Sequence, residues 1–162
     1  MYEHKQYGPW WWLIIGVAVI QLAAAYLIGI QSQAAGVSLG VLGCLLFLLS
    51  LCFRYLMIRD EGEYLSVRFG PIPLFGAKIR YRDIESVEPD RTTVLDGWGL
   101  HWVPGRGTTI NIWGFDCVKL RVRGRTIRIG TDDRDNLYRL IKTKMELHRA
   151  PPSSSWDKVP SN

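Results

Sequence analysis

Histidine and cysteine are scarce in this chain, three of each among 162 residues. Their placement removes most of the chemistry that depends on them. His4, His101 and His148 fall at the N-terminus, in a prospective strand and at the end of a prospective helix, so no Ser-His-Asp or Cys-His arrangement follows. Cys44, Cys52 and Cys117 offer neither zinc-site spacing nor a disulfide framework, and they read as small buried apolar residues. Charge is missing in a more telling way, because residues 6–53 contain no Lys, Arg, Asp or Glu. That absence argues directly against a water-soluble monomer. The total length also excludes two domains of ordinary size.

What fills the uncharged block is hydrocarbon. Residues 10–30 are predominantly apolar with Gln21 as the one strongly polar member, and at about 1.5 Å per residue they match a bilayer's hydrocarbon. Gln31, Ser32 and Gln33 interrupt, and residues 34–56 give a second Leu-rich span. So short a connection makes an antiparallel hairpin. A buried hairpin in a soluble protein is the first alternative, but about 100 remaining residues cannot cover two helices that are apolar all round. A cleaved signal peptide ending near Ala23, Ala24 and Ala25 is the second, and the apolar run continues past those alanines. Lys5, Arg54 and Arg59 lie on one side of the hairpin and its loop carries no positive charge, so both termini, residues 1–9 included, are expected in the cytoplasm. Gly36, Gly40 and Gly43 form a small-residue face on the second span, expected to pack on the first.

Beyond residue 60 the pattern changes from continuous to alternating. Residues 63–70, 77–82, 84–88, 100–103, 108–113, 117–123 and 126–130 read as seven short strands, the third ended by Pro89, which indicates a small antiparallel barrel or sandwich. A two-residue turn at Gly124-Arg125 would pair Arg121 with Arg128 and Val122 with Ile127. Thr131 or Asp132 then caps a helix whose first turn is loaded with Asp132, Asp133 and Asp135. Leu137, Leu140, Ile141 and Met145 make its apolar stripe, a core face and not a cofactor site. Residues 150–162 are Pro- and Ser-rich and are expected to be disordered.

Seven strands followed by one helix is the pleckstrin-homology arrangement. The segments Ile79-x-Tyr81-x-Asp83-Ile84-x-Ser86-Val87, Gly97-Trp98-Gly99-Leu100 and Arg128-Ile129-Gly130-Thr131-Asp132 resemble the bacterial PH-like domain family, which often follows a two-span hairpin. The resemblance implies an α+β fold for residues 60–149, a membrane anchor and a cytoplasmic face. It implies no shared activity, since fold alone does not carry function.

Two groups of residues are candidates for binding. Lys119, Arg121, Arg123, Arg125 and Arg128 place five cations within ten residues, and cross-strand Arg121 and Arg128 would repel unless offset by water, by Glu85 or Glu88, or by an anion. Solvated intramolecular pairing, anionic lipid headgroups and an acidic protein partner are the three readings of that hairpin. The loop at residues 70–76 has no positive charge and presents Ile72, Leu74 and Phe75, which could enter a leaflet, dock a partner or fold onto the sheets. Arg68, Lys78 and Arg80 across it only superficially resemble a phosphoinositide signature. From residue 60 onward there are 17 Lys and Arg against 14 Asp and Glu, a weak basicity that argues against nucleic acid. The sequence therefore points to a membrane-anchored binding or assembly module, with no catalytic residue, cofactor or metal expected. Its partners would be the bilayer and a protein, with a homo-oligomer left open.

Overall fold

Residues that are apolar on all sides build the first two helices, and almost nothing in the rest of the chain covers them. The computed structural model, which describes residues 2–93 and 96–149, places α1 at Trp10–Gly29 and α2 at Gln33–Cys52, packed on each other as a hairpin. The glycine face of α2 makes this contact. A Cβ on Gly36 would lie 2.5 Å from Cα of Gly29, and one on Gly43 would lie 2.8 Å from a methyl of Leu22. Ala18 and Ala25 are the buried residues of α1, while residues such as Ile20, Leu27, Val37 and Leu45 are exposed. A core helix of a soluble protein would be covered. Both helices are long and apolar enough to cross a membrane.

The helices grow directly out of a sheet. β1 (Glu3–Tyr7) stops two residues before α1, and β2 (Tyr55–Asp60) starts two residues after Phe53 caps the C-terminus of α2. These strands pair antiparallel, with Tyr7 opposite Tyr55, and β3 (Tyr64–Phe69) and β4 (Gly76–Arg80) complete a four-stranded sheet in the order β1-β2-β3-β4. A 3-10 turn at Tyr81–Asp83 leads to the second sheet. That sheet contains β5 (Ile84–Arg91), β6 (Gly99–Val103), β7 (Gly107–Asn111), β8 (Asp116–Val122) and β9 (Arg125–Gly130), in the order β5-β8-β9-β7-β6. The core lies between the sheets and under α3 (Arg134–Arg149): Leu56, Ile58, Val67 and Phe69 from the first sheet meet Ile110, Val118, Leu120 and Ile129 from the second, with Leu137, Ile141 and Met145 of α3.

Several expectations are corrected. The seven expected strands correspond to β3–β9, and β1 and β2 are two more. Residues 34–56 do not form one span, because the helix stops at Cys52 and Tyr55 already belongs to β2. Residues 2–9, expected only to lie in the cytoplasm, are part of the domain: β1 is an integral strand, and Tyr2 Oη ties it to Asp133 at 3.1 Å and His4 to Asp132. The strands form two sheets, and they are not all antiparallel, since β7 and β9 run parallel. Pro89 does not end β5, which continues to Arg91; it is tolerated because β5 is an edge strand and its outer side needs no donor.

The last hairpin turns one residue earlier than expected, at Arg123-Gly124. Both residues have positive φ, 48° and 74°, as a type I′ turn requires. Arg121 therefore faces Thr126, and Arg128 faces Lys119. The expected tail at residues 150–162 lies outside the described residues.

Candidate functional site

The basic hairpin is neutralised by its neighbour. β5 lies antiparallel to β8 and aligns Glu88 with Lys119. Lys119 Nζ is 2.6 Å from Glu88, Arg121 Nε 3.2 Å from Glu85, Arg123 2.8 Å from Asp83 and Arg128 Nε 3.0 Å from Asp90. Arg125, at the start of β9, is exposed. Arg128 is nearly buried and also donates to the carbonyl of Arg106. Burial alone would raise the Asp90 carboxyl, but the Arg91 N–H and the Arg128 guanidinium outweigh it and hold the group below the usual carboxylate range. The four acids answer the charge accumulation without an external anion. Arg68 and Lys78 are satisfied in the same way, both by Glu61 at 2.8 and 2.9 Å.

The topology also fixes where this hairpin lies. Tyr7, Tyr55 and Gly70 mark the end of the first sheet nearest the helices, since the Gly70 N–H donates to the Tyr55 carbonyl at 2.6 Å. In the second sheet that end is marked by Ile112, which closes on Gly8, and by Trp98 and Trp113, whose rings lie 5.3 and 6.0 Å from that of Trp10. β7 therefore runs toward the helices, its parallel neighbour β9 does too, and the β8–β9 turn is at the opposite, far end of the domain. An open groove of about 590 Å³ lies there between β4 and the hairpin, lined by residues that include Tyr64, Lys78, Arg80, Asp83, Arg123 and Ile127.

The helix end has different chemistry. Gly70 takes φ +52°, and a side chain there would collide with the carbonyl oxygens of Leu51 and Cys52, so only glycine allows β3 to finish against the last turn of α2. The loop that follows splits the three apolar candidates. Phe75 folds inward and stacks on Phe53 at 5.7 Å, Ile72 is half-buried, and Leu74 projects outward.

Sequence reasoning missed two features. One is Asp96, fully buried, whose carboxylate takes both guanidinium contacts of Arg106 at 2.6 and 2.7 Å together with the N–H and hydroxyl of Thr93. Burial would raise that carboxyl; the Thr93 N–H and Arg106 overcome it and lower it. No local pattern in the sequence marks this pair, since its members are separated by a whole strand. The other is the face of β6 carrying Leu100 and Trp102, with Trp98 beside it, all exposed. The alternation Trp98-x-Leu100-x-Trp102 was its available signal.

Nothing in these surroundings suggests an activated nucleophile. Cys117 is buried and its thiol is pushed up to about 12 by that burial, which makes it inert. Asp133 serves α3 by accepting from the Leu137 N–H through its carbonyl. His101 lies against Gly97. The chain matches no known family model, no curated protein and no solved structure.

Proposed function

We propose that this chain is an integral membrane protein whose cytosolic, PH-like domain acts as a binding or assembly module for a protein partner. The reading rests above all on two all-round apolar helices that remain uncovered and continue without a linker into β1 and β2. Pairing of those strands holds both chain ends of the hairpin on one side, and Lys5, Arg54 and Arg59 on that side agree with a cytoplasmic orientation. The PH-like identity is supported by the strands β3–β9, the closing helix and the quoted motifs.

A protein partner is favoured over anionic headgroups because four of the five hairpin cations already hold carboxylates and their turn lies at the far end. The groove between β4 and that hairpin has apolar walls at Ile79 and Ile127 and a cation at Arg80, while Lys78 and Arg123 on its rim are already held by Glu61 and Asp83. It would suit a mainly apolar segment with an acid that reaches Arg80. The anchor is tested by alkaline carbonate extraction of native membranes, in which the chain should stay in the pellet; release into the supernatant refutes it. The partner is tested with a photocrosslinking residue at Tyr64 in intact membranes, which should capture one protein at defined stoichiometry.

A further inference from the structure

β4 is the outer strand of the first sheet and pairs with β3 alone. At one end of that ladder the Phe69 N–H donates to the Phe75 carbonyl, and at the other the Tyr81 N–H donates to the Glu63 carbonyl. Hydrogen-bonded pairs recur at every second residue of an antiparallel ladder, so Ala77 and Ile79 are the other two β4-side residues that bond β3. Gly76, Lys78 and Arg80 therefore direct their N–H and C=O groups away from the sheet. Among the described residues nothing pairs with them.

Charge does not guard this edge. Edge strands are commonly shielded by a lysine or by a covering element. Lys78, however, reaches back across β3 to Glu61 at 2.9 Å, and Arg80 lies over the Tyr64 ring, with its Nε donating to Tyr64 Oη at 3.1 Å. On the outer strand of the other sheet, by contrast, Arg149 already takes the carbonyls of Ile84 and Glu85. Beside β4 the two sheets part. The groove described above passes Ala77 and Ile79, faced by Val122 and Ile127 of the last hairpin, and a second opening of about 310 Å³ continues past Gly76 to Phe75. Ala77 and Lys78 line both, so the two openings together follow the length of the strand. Ala77, Val122 and Ile127 are only partly buried where they pack on the core. Unpaired backbone and a half-covered apolar mouth thus run side by side.

We propose that β4 is a strand-addition site: an extended segment of a partner protein pairs with the outward backbone groups of Gly76, Lys78 and Arg80 and inserts every second side chain between the sheets. This deepens the reading of the groove as a protein-binding site and rests on it. Successive side chains of an added strand fall in turn on the core side and the outer side. The segment is therefore apolar at alternate positions, where it meets Ala77, Val122 and Ile127, and carries an acid on the outer side beside Arg80, which holds no carboxylate among the described residues. Main-chain hydrogen bonds supply the affinity, and the alternate side chains select the segment.

The test uses the full chain in intact membranes, with the photocrosslinking residue at Tyr64, and compares the parent chain with two substitutions at one position. Lys78→Pro removes an outward N–H and no bond to β3, a place where a strand tolerates proline. Capture should fall about tenfold, the effect of leaving one acceptor of the partner buried and unpaired. Lys78→Gln loses the same contact with Glu61 but keeps the N–H, and it should restore capture. A second measurement does not depend on the proline variant folding: in the purified crosslinked complex, exchange of the Lys78 and Arg80 amides should slow at least about tenfold relative to the free chain. Peptide mapping should place the crosslink in a segment with alternating apolar residues and an acid. Capture that persists in Lys78→Pro, or falls equally in Lys78→Gln, or unchanged amide exchange, overturns strand addition while the protein-partner reading stands. Absence of any capture by the parent chain refutes that reading itself. Crosslinks to a second copy of the chain, or to its own residues 150–162, also overturn the proposal.

Discussion

The two ends of the β domain are built from the same strands yet answer to different surroundings. At the helix end, the loops expose Leu74 and Trp98, and the exposed Arg54 lies over the ring of Trp11. At the far end, Lys119, Arg121 and Arg123 are each matched by an acid on β5 or in the turn before it. Polar groups pair where water and partners reach them, and apolar groups stay uncovered where the hairpin begins. The contrast teaches that exposure and charge have to be read together. A surface may look basic in sequence and be neutral in space, while another may look like an ordinary strand and expose an apolar face.

The largest effect that would break this contrast is expected at the junction. Gly70→Val adds a side chain at positive φ and drives it onto the Leu51 and Cys52 carbonyls, so strain and overpacking combine to about 3 kcal/mol or more. Because β3 is then pushed from α2, thermal unfolding in detergent should shift down by many degrees and trypsin should cut between the helices and the sheets. An unchanged melting temperature would mean that the helices hang from the domain and are not built into it.

Next in size is the tie that holds β6 in place. Arg106 reaches from the β6–β7 turn to Asp96, which precedes β6, so Arg106→Met leaves a buried carboxylate without its main partner. Loss of a buried pair costs about 3–5 kcal/mol, and since the Arg106 side chain is 37% exposed the expected loss is nearer about 2 kcal/mol. It should appear as a lower unfolding midpoint together with faster hydrogen exchange of β6 amides. Loss without faster β6 exchange would show that this pair does not hold β6 in place.

The same carboxylate predicts a dependence on acidity. Its folded value lies below the ordinary aspartate value of 3.8, so the stability it contributes is complete above that value and is lost as pH falls through the depressed folded one. Asp60, lowered by Lys144 at 2.8 Å and by the Gly62 N–H and Tyr81 hydroxyl against its own burial, acts in the same direction. The unfolding midpoint should therefore drop below about pH 4 in the parent chain and drop less in Asp96→Asn, whose side chain does not ionise. Equal slopes would remove Asp96 from the acid response.

How much of this was legible in advance depended on whether the signal was local. Two apolar runs, the small-residue face at Gly36 and Gly43, the strands from Tyr64 onward and the Leu137–Ile141–Met145 stripe could all be read from spacing. β2 could not, because its alternation of Leu56 and Ile58 with Met57 is fused to the apolar run before it. β1 was hidden for the opposite reason: its inward positions are His4 and Gln6, polar residues held by Asp132 and, through the Gln6 Nε2 donor, by the Trp113 carbonyl at 2.8 Å. The basic hairpin was found, but its neutralisation depends on β5 lying beside β8, a pairing between distant segments. The exposed apolar face of β6 was missed because Leu100 and Trp102 sit in an ordinary alternating strand. Only its edge position in the sheet leaves that face open.

The smallest expected effect sharpens the contrast from the charged side. Arg121→Gln with Arg123→Gln removes two exposed pairs, each worth no more than about 1 kcal/mol and often nothing measurable. The unfolding midpoint should move by a few degrees at most, and partition of the full chain into phosphatidylglycerol-rich vesicles over pure phosphatidylcholine should not change. If the turn touched headgroups, each lost cation would weaken that preference by about 1 kcal/mol, and raising salt would mimic the substitution. A salt-sensitive preference that vanishes in the variant would turn the domain over and place its charged end on the membrane. Silence in that measurement, with reduced crosslinking at Tyr64, leaves the hairpin facing a protein.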